Sequence, residues 1–129
     1  MNQANSANQP IVPYTALLGG VIQQQRKYLD TQFGGYQQGQ VAAQLNISQS
    51  AYSRVESGDI AISVTQLRQI AHHLNCNAQQ ILDQADRIAL ALQAQGALIT
   101  HEKKDNSGAI LIGMGLLAAA LLAAGAATS

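Results

Sequence analysis

The chain has few aromatic residues, one cysteine and no excess charge of either sign. Four Tyr and one Phe make up 4% of the 129 residues, and Trp is absent. Because Cys76 is the only cysteine, an intramolecular disulfide and a cysteine-based zinc site are excluded. The chain has seven Lys and Arg and seven Asp and Glu, so it has no net positive charge that would attract polyanions such as nucleic acids. Any nucleic-acid function must therefore rest on a motif.

The apolar residues favour helices. Ala and Leu supply much of the 47% hydrophobic content, and both are strong helix formers. Apolar spacing and turn signals predict an all-α fold of five helices without a convincing strand. The first helix should end near Leu29. The fifth should run from Ala78 to Thr100, and Asn77 with Gln80 has the spacing of a cap before it. Between them we expect a helix over Gln38–Leu45, one capped by Ser48 and ended at Ser57 before Gly58, and one capped by Ser63 with Gln66.

Composition divides the chain into four regions. Residues 1–12, rich in Asn and Gln, are expected to be a disordered arm without the features of a secretory signal. Residues 13–82 hold the short helices. Residues 83–107 continue the fifth helix into a charged hinge, HEKKDNS, and residues 108–129 form an apolar tail.

A helix-turn-helix motif is indicated in the second region. The segments QGQVAAQL and SQSAYSRVE are separated by a short break at Asn46 and Ile47. Small residues at Ala42 and Ala43 would let the two helices approach closely. Ile47, Val55 and Tyr52 are expected to face the interior.

Residues Leu17 to Leu82 resemble the XRE or phage-repressor (lambda-repressor-like) helix-turn-helix family. The residues that carry the resemblance are Arg26, Gln38, Val41-Ala42, Ile47-Ser48, Glu56-Ser57-Gly58 and Leu74-Asn75-Cys76. The chain departs from the family pattern in a longer link over Tyr28–Tyr36, in Asn75 where Gly is common, and in its few Lys and Arg.

The resemblance implies a site that binds double-stranded DNA. Gln38 would contact a phosphate, and the third helix would present base-reading residues: Ser48 at its cap, then Gln49, Ser50, Ser53 and Arg54. Gln can bond adenine, Arg can bond guanine and Ser can bond either. Arg26 and Glu56 would form a structural ion pair. Because glutamine is abundant, Gln38, Gln49 and Ser50 could instead be ordinary solvated residues.

Catalytic and metal-binding patterns are not found. His72 and His73 are adjacent on a helix and should point apart, so a shared metal is not expected. Cys76 matches a core position and is expected to be a small buried hydrophobe. We therefore predict neither an enzyme nor a protein with a cofactor or metal.

Two interpretations remain open for the fifth helix. Its apolar residues follow a heptad-like spacing through Ile81, Ala85, Ile88, Leu92, Gln95 and Ile99. This seam could pack back on its own domain. It could equally pair with a second copy, and a homodimer or higher homo-oligomer would match a palindromic DNA site.

The tail has the length of a transmembrane helix. Ala109 to Ala127 gives 19 apolar residues, close to the ~20 that cross a bilayer. Lys103 and Lys104 precede it, which would leave the rest of the chain in the cytoplasm, tethered to a bacterial inner membrane. The tail could instead be an oligomerisation helix that joins subunits into a filament or particle.

Two functions of different classes follow. The first is a sequence-specific transcriptional regulator, dimeric and anchored by its tail. The alternative is a membrane-bound or self-assembling interaction protein that keeps the helix-turn-helix fold without reading DNA. The neutral charge favours the alternative, and the intact recognition helix favours the first.

Overall fold

A computed structural model describes residues 9–101. The elements in chain order are β1 (Ile11–Pro13), α1 (Tyr14–Phe33), α2 (Gln38–Gln44), α3 (Gln49–Ser57), α4 (Val64–His73), α5 (Ala78–Ala94) and β2 (Leu98–Thr100). Most of the predicted arm, the charged hinge and the apolar tail lie outside the described residues. Within residues 9–101, no helix has both the length and the apolar character needed to cross a bilayer.

Helix α1 is the centre of the domain. It packs against α3 on one side and α5 on the other, and α4 packs against α5. The largest fully buried side chains come from all of these helices and from β1: Tyr52, Leu17, Ile22, Ile70, Leu74, Ile81, Ile88, Leu92 and Val12. The domain therefore has one core, and α3 is held against it along its inner face.

A glycine sets the distance between α1 and α3. A Cβ atom at Gly19 would lie 2.3 Å from the Glu56 carbonyl oxygen and 2.5 Å from that of Val55. Both neighbours are backbone atoms, which cannot move without shifting the helix. Although Gly in a helix interior is usually destabilising relative to Ala, here it lets the end of α3 rest directly on α1.

The predicted helix caps are confirmed. The hydroxyls of Ser48 and Ser63 accept hydrogen bonds from backbone N–H groups three residues later, each at 3.0 Å. Asn77 Oδ1 accepts from Gln80 N at 2.8 Å, and Gln80 Oε1 accepts from Asn77 N at 2.9 Å. Gly58, with φ of 81°, ends α3 in the left-handed conformation.

Two helices end in the same kind of turn. The turn Leu45-Asn46-Ile47-Ser48 joins α2 to α3, and Leu74-Asn75-Cys76-Asn77 joins α4 to α5. The two central asparagines have φ of 61° and 59°. Asn tolerates this left-handed conformation better than most residues, so Asn75 serves where glycine is common in the family.

The first and fifth helices have different ends from those predicted. Helix α1 continues four residues past Leu29 to Phe33, and Gly34, with φ of 72°, ends it. Much of the predicted long link over Tyr28–Tyr36 is therefore helix. Helix α5 ends at Ala94, and Gly96, with φ of 95°, lies in the turn between α5 and β2.

The prediction of a fold without strands is wrong in one place. β1 and β2 form a parallel pair in which Ile11, Val12 and Pro13 lie opposite Leu98, Ile99 and Thr100. Val12, which composition assigns to the arm, is 1% exposed. This pair of strands brings together the two ends of the described chain. Because Val12 is buried, β1 is packed against the core.

The heptad-like seam of α5 lies inside the domain. Ile81, Ala85, Ile88 and Leu92 are between 0 and 2% exposed and belong to the single core. Of the two interpretations, packing on the same domain is the one observed. These four side chains are therefore not available to a second copy, whereas Gln95 is exposed and Ile99 is half-buried.

Candidate nucleic-acid interface

Helix α3 separates an inner from an outer face. Tyr52 and Val55 are buried in the core, as predicted. Gln49, Ser50 and Arg54 are exposed, and Ser53 is half-buried between the two faces. The predicted base-reading side chains therefore share a helix whose orientation is fixed by buried contacts. This is what a reading surface requires, because a base contact depends on well-defined side-chain positions.

The first turns of α2 and α3 lie next to each other. A Cβ atom at Gly39 would be 3.2 Å from Gln49 Oε1, so the Gln49 side chain lies over the start of α2. Ser48 is exposed at the start of α3, but its hydroxyl oxygen accepts from Ala51 N at 3.0 Å. Its hydrogen remains for a phosphate or base acceptor.

A buried ion pair joins α1 to α3. Arg26 Nε lies 2.6 Å from Glu56 Oε2, and Arg26 Nη2 lies 3.0 Å from Glu56 Oε1. The two side chains are 8% and 2% exposed. Hydrogen bonding to Glu56 is the largest cause of a raised pKa for Arg26. This bidentate geometry fixes the orientation of both side chains, in addition to pairing their charges.

The same carboxylate orients the first residue of α2. Gln38 Nε2 donates to Glu56 Oε1 at 2.9 Å. An amide nitrogen carries two hydrogens, so one remains available to a phosphate oxygen. The structure thus brings Gln38 to the Arg26–Glu56 pair, and the three side chains link α1, α2 and α3.

Tyr36 and Asp30, of which the sequence did not single out Asp30, support this arrangement. Arg26 Nη1 donates to the Tyr36 carbonyl oxygen at 3.1 Å, and Tyr36 N donates to Asp30 Oδ1 at 2.9 Å. These bonds hold the loop that leads into α2. A carbonyl oxygen leaves no sequence signal, but an acidic residue shortly before two glycines could have suggested a loop-capping role.

The hydroxyl of Tyr52 lies buried beside the ion pair. Tyr52 is 0% exposed, and its oxygen has no hydrogen-bond partner among the residues that the structure describes. Burial, followed by the negative charge of Glu56, raises the pKa of Tyr52 well above its ordinary value. The phenol therefore stays neutral and serves as a packing group on the inner face of α3.

The outer face is polar but nearly uncharged. Among the predicted DNA-contacting residues, only Arg54 carries a charge. The segment 34–81 as a whole holds two basic residues of the Lys or Arg type, Arg54 and Arg68. The face can offer amide and hydroxyl hydrogen bonds to a partner, with little attraction for phosphates at long range.

This geometry agrees with a family comparison. A family model described as Helix-turn-helix matches residues 34–81, from the loop after α1 into the first turn of α5. Residues 34–81 are therefore similar to this family. The resemblance to XRE-type domains is thereby confirmed for that segment, while α1 and its Arg26 lie outside the match. No curated protein and no solved structure matches the chain.

Proposed function

We propose that this protein is a sequence-specific transcriptional regulator that places α3 of its helix-turn-helix domain in the DNA major groove. The observation that carries the proposal is the outer face of α3. Gln49, Ser50 and Arg54 are exposed there, while the opposite face is anchored in the core. An α-helix fits the major groove, and these side chains are among those that distinguish base edges.

The start of α2 would supply contacts to the DNA backbone. Gln38 keeps one amide hydrogen free while the other is bonded to Glu56. Phosphate contacts of this kind fix the register of the protein on the duplex without reading sequence. The buried pair behind Gln38 would therefore help to hold the backbone contact in line with the reading helix.

Substitutions should separate these two roles. We expect Gln49→Ala and Arg54→Ala each to weaken binding to a preferred sequence by about 1–3 kcal/mol, because each removes contacts to base edges. Gln38→Ala should weaken binding to preferred and random sequences alike. The measurement is a gel shift of the full-length protein, first with genomic fragments to find a preferred site and then with that site and a scrambled one.

Gln93→Ala is the matched control. Gln93 is exposed in the last turn of α5, outside the proposed interface, and its loss should leave both affinities unchanged. If the wild-type protein prefers no DNA fragment even at low salt, sequence readout is wrong. That result would favour an assembly protein that retains the fold without reading DNA.

Binding should depend only weakly on salt. Each phosphate neutralised contributes about −0.9 to the slope of log Kobs against log salt concentration. With Arg54 and Arg68 as the basic residues of the matched segment, we expect a slope of about −2 or shallower for each bound domain. A slope near −5 per domain would contradict the proposal that neutral side chains provide most contacts.

The dimer and the membrane tether stay predictions. The four seam residues within α5 are buried, so a homodimer has no surface assigned to it there. The inner-membrane tether depends on the apolar residues 109–127. It predicts that full-length protein stays in the membrane pellet after an alkaline carbonate wash, whereas a chain truncated after residue 106 is released. Full-length protein recovered in the wash would exclude a spanning anchor.

A further inference from the structure

A groove outside the proposed DNA interface lies along the junction of α1 and α5. Its volume is about 450 Å³, within the range of small-molecule sites. Val21 and Ile81, both buried, form an apolar floor with the half-buried Cys76, and Tyr28 is an exposed aromatic wall. The rim consists of amide side chains, and none of the lining residues within 9–101 is charged. An ionic ligand would find no partner there, so the lining favours a neutral one.

Two rim amides have fixed and opposite orientations. Gln25 Nε2 donates to the Leu74 carbonyl oxygen at 2.7 Å. Gln80 Oε1 accepts from Asn77 N at 2.9 Å. Because each backbone partner determines which end of the amide it meets, Gln25 keeps its oxygen as an acceptor and Gln80 keeps its nitrogen as a donor. The acceptor comes from α1 and the donor from α5.

We infer that this groove binds a small neutral ring with an N–H and a C=O on one edge, the class of cyclic amides that includes lactams and nucleobases. The ring N–H would donate to Gln25 Oε1, and its carbonyl would accept from Gln80 Nε2. The ring face would lie on Val21 and Ile81, within reach of Tyr28. This site is separate from the DNA-reading function, and its test requires no DNA.

The test is an NMR titration of the ¹⁵N-labelled full-length protein with uracil. We expect saturable shifts of the Gln25 and Gln80 side-chain amides and of the backbone amides of Asn75 and Cys76. 1,3-Dimethyluracil keeps the ring and its carbonyls but has no N–H, so it should produce no saturable shift at these positions. Failure of uracil to shift them, or saturable binding of both compounds with equal affinity, would overturn the inference.

Two neighbouring glutamines provide a matched pair of variants. Gln80→Met removes the donor and should weaken uracil binding about tenfold, the effect of one lost hydrogen bond. Gln79→Met, at an exposed position in the same turn that does not line the groove, should leave affinity unchanged. Asn77 Oδ1 still accepts from the backbone N–H of residue 80, so Gln80→Met should remain folded by thermal melting. Equal affinities of the two variants would contradict the assignment.

Discussion

Replacing Ile88 with Asp should abolish folding of the domain. Ile88 is 0% exposed in the middle of α5, within the core that α5 shares with α1 and α4. The substitution would remove a buried apolar group and introduce a carboxylate with no partner. Its cost should exceed about 4 kcal/mol, a large part of the roughly 5–15 kcal/mol that stabilises a domain. Circular dichroism during urea unfolding should then show no cooperative transition.

Leu90→Asp is the matched control on the same helix. Leu90 is 68% exposed, so its replacement should change the free energy of unfolding by no more than about 0.5 kcal/mol. Together the two variants test whether the heptad-like seam packs within one domain or between two copies. If Ile88→Asp gives a folded monomer from a wild-type dimer, the seam joins two copies and its burial within one domain is wrong.

Local signals allowed the interior helix boundaries to be predicted. Ser48, Ser63 and Asn77 lie at caps because their side chains accept from the N–H groups of the next turn. Gly58 ends α3 because it can adopt a left-handed conformation. Between these boundaries, the helical spacing of apolar residues identifies the face of each helix that packs in the core. The seam of α5 was ambiguous because the same spacing serves a domain core and a coiled coil.

Contacts between distant residues could not be predicted in the same way. β1 and β2 are each three residues long, too short to show the alternation of apolar and polar residues that identifies a strand. In the sequence, 84 residues lie between the end of β1 and the start of β2. The Arg26–Glu56 pair was expected from the family resemblance and not from spacing. The bond from Gln38 to Glu56 had no sequence signal at all, because it depends on how α2 and α3 meet in space.

Breaking the Arg26–Glu56 pair from one side should be strongly destabilising. Glu56→Leu would leave the Arg26 guanidinium nearly buried, with the Tyr36 carbonyl as its only hydrogen-bond partner among the described residues, and would also free the Gln38 amide. Arg26→Met would leave the Glu56 carboxylate, 2% exposed, with only Gln38. We expect each single variant to lose about 3–5 kcal/mol of unfolding free energy. Urea titration followed by circular dichroism measures this loss.

The double variant Arg26→Met with Glu56→Leu should recover most of that loss. Removing both charges eliminates the uncompensated buried ion that makes each single variant unstable, and apolar side chains can fill the space. The double variant should therefore be more stable than either single variant, with a coupling energy of several kcal/mol in the mutant cycle. It should still bind DNA less well than wild type, since Gln38 would have lost the carboxylate that orients it.

Additive losses would show that the two side chains stabilise the domain independently. If stability recovers and DNA affinity is unchanged, the pair has a structural role only, and Glu56 does not orient Gln38 for DNA binding.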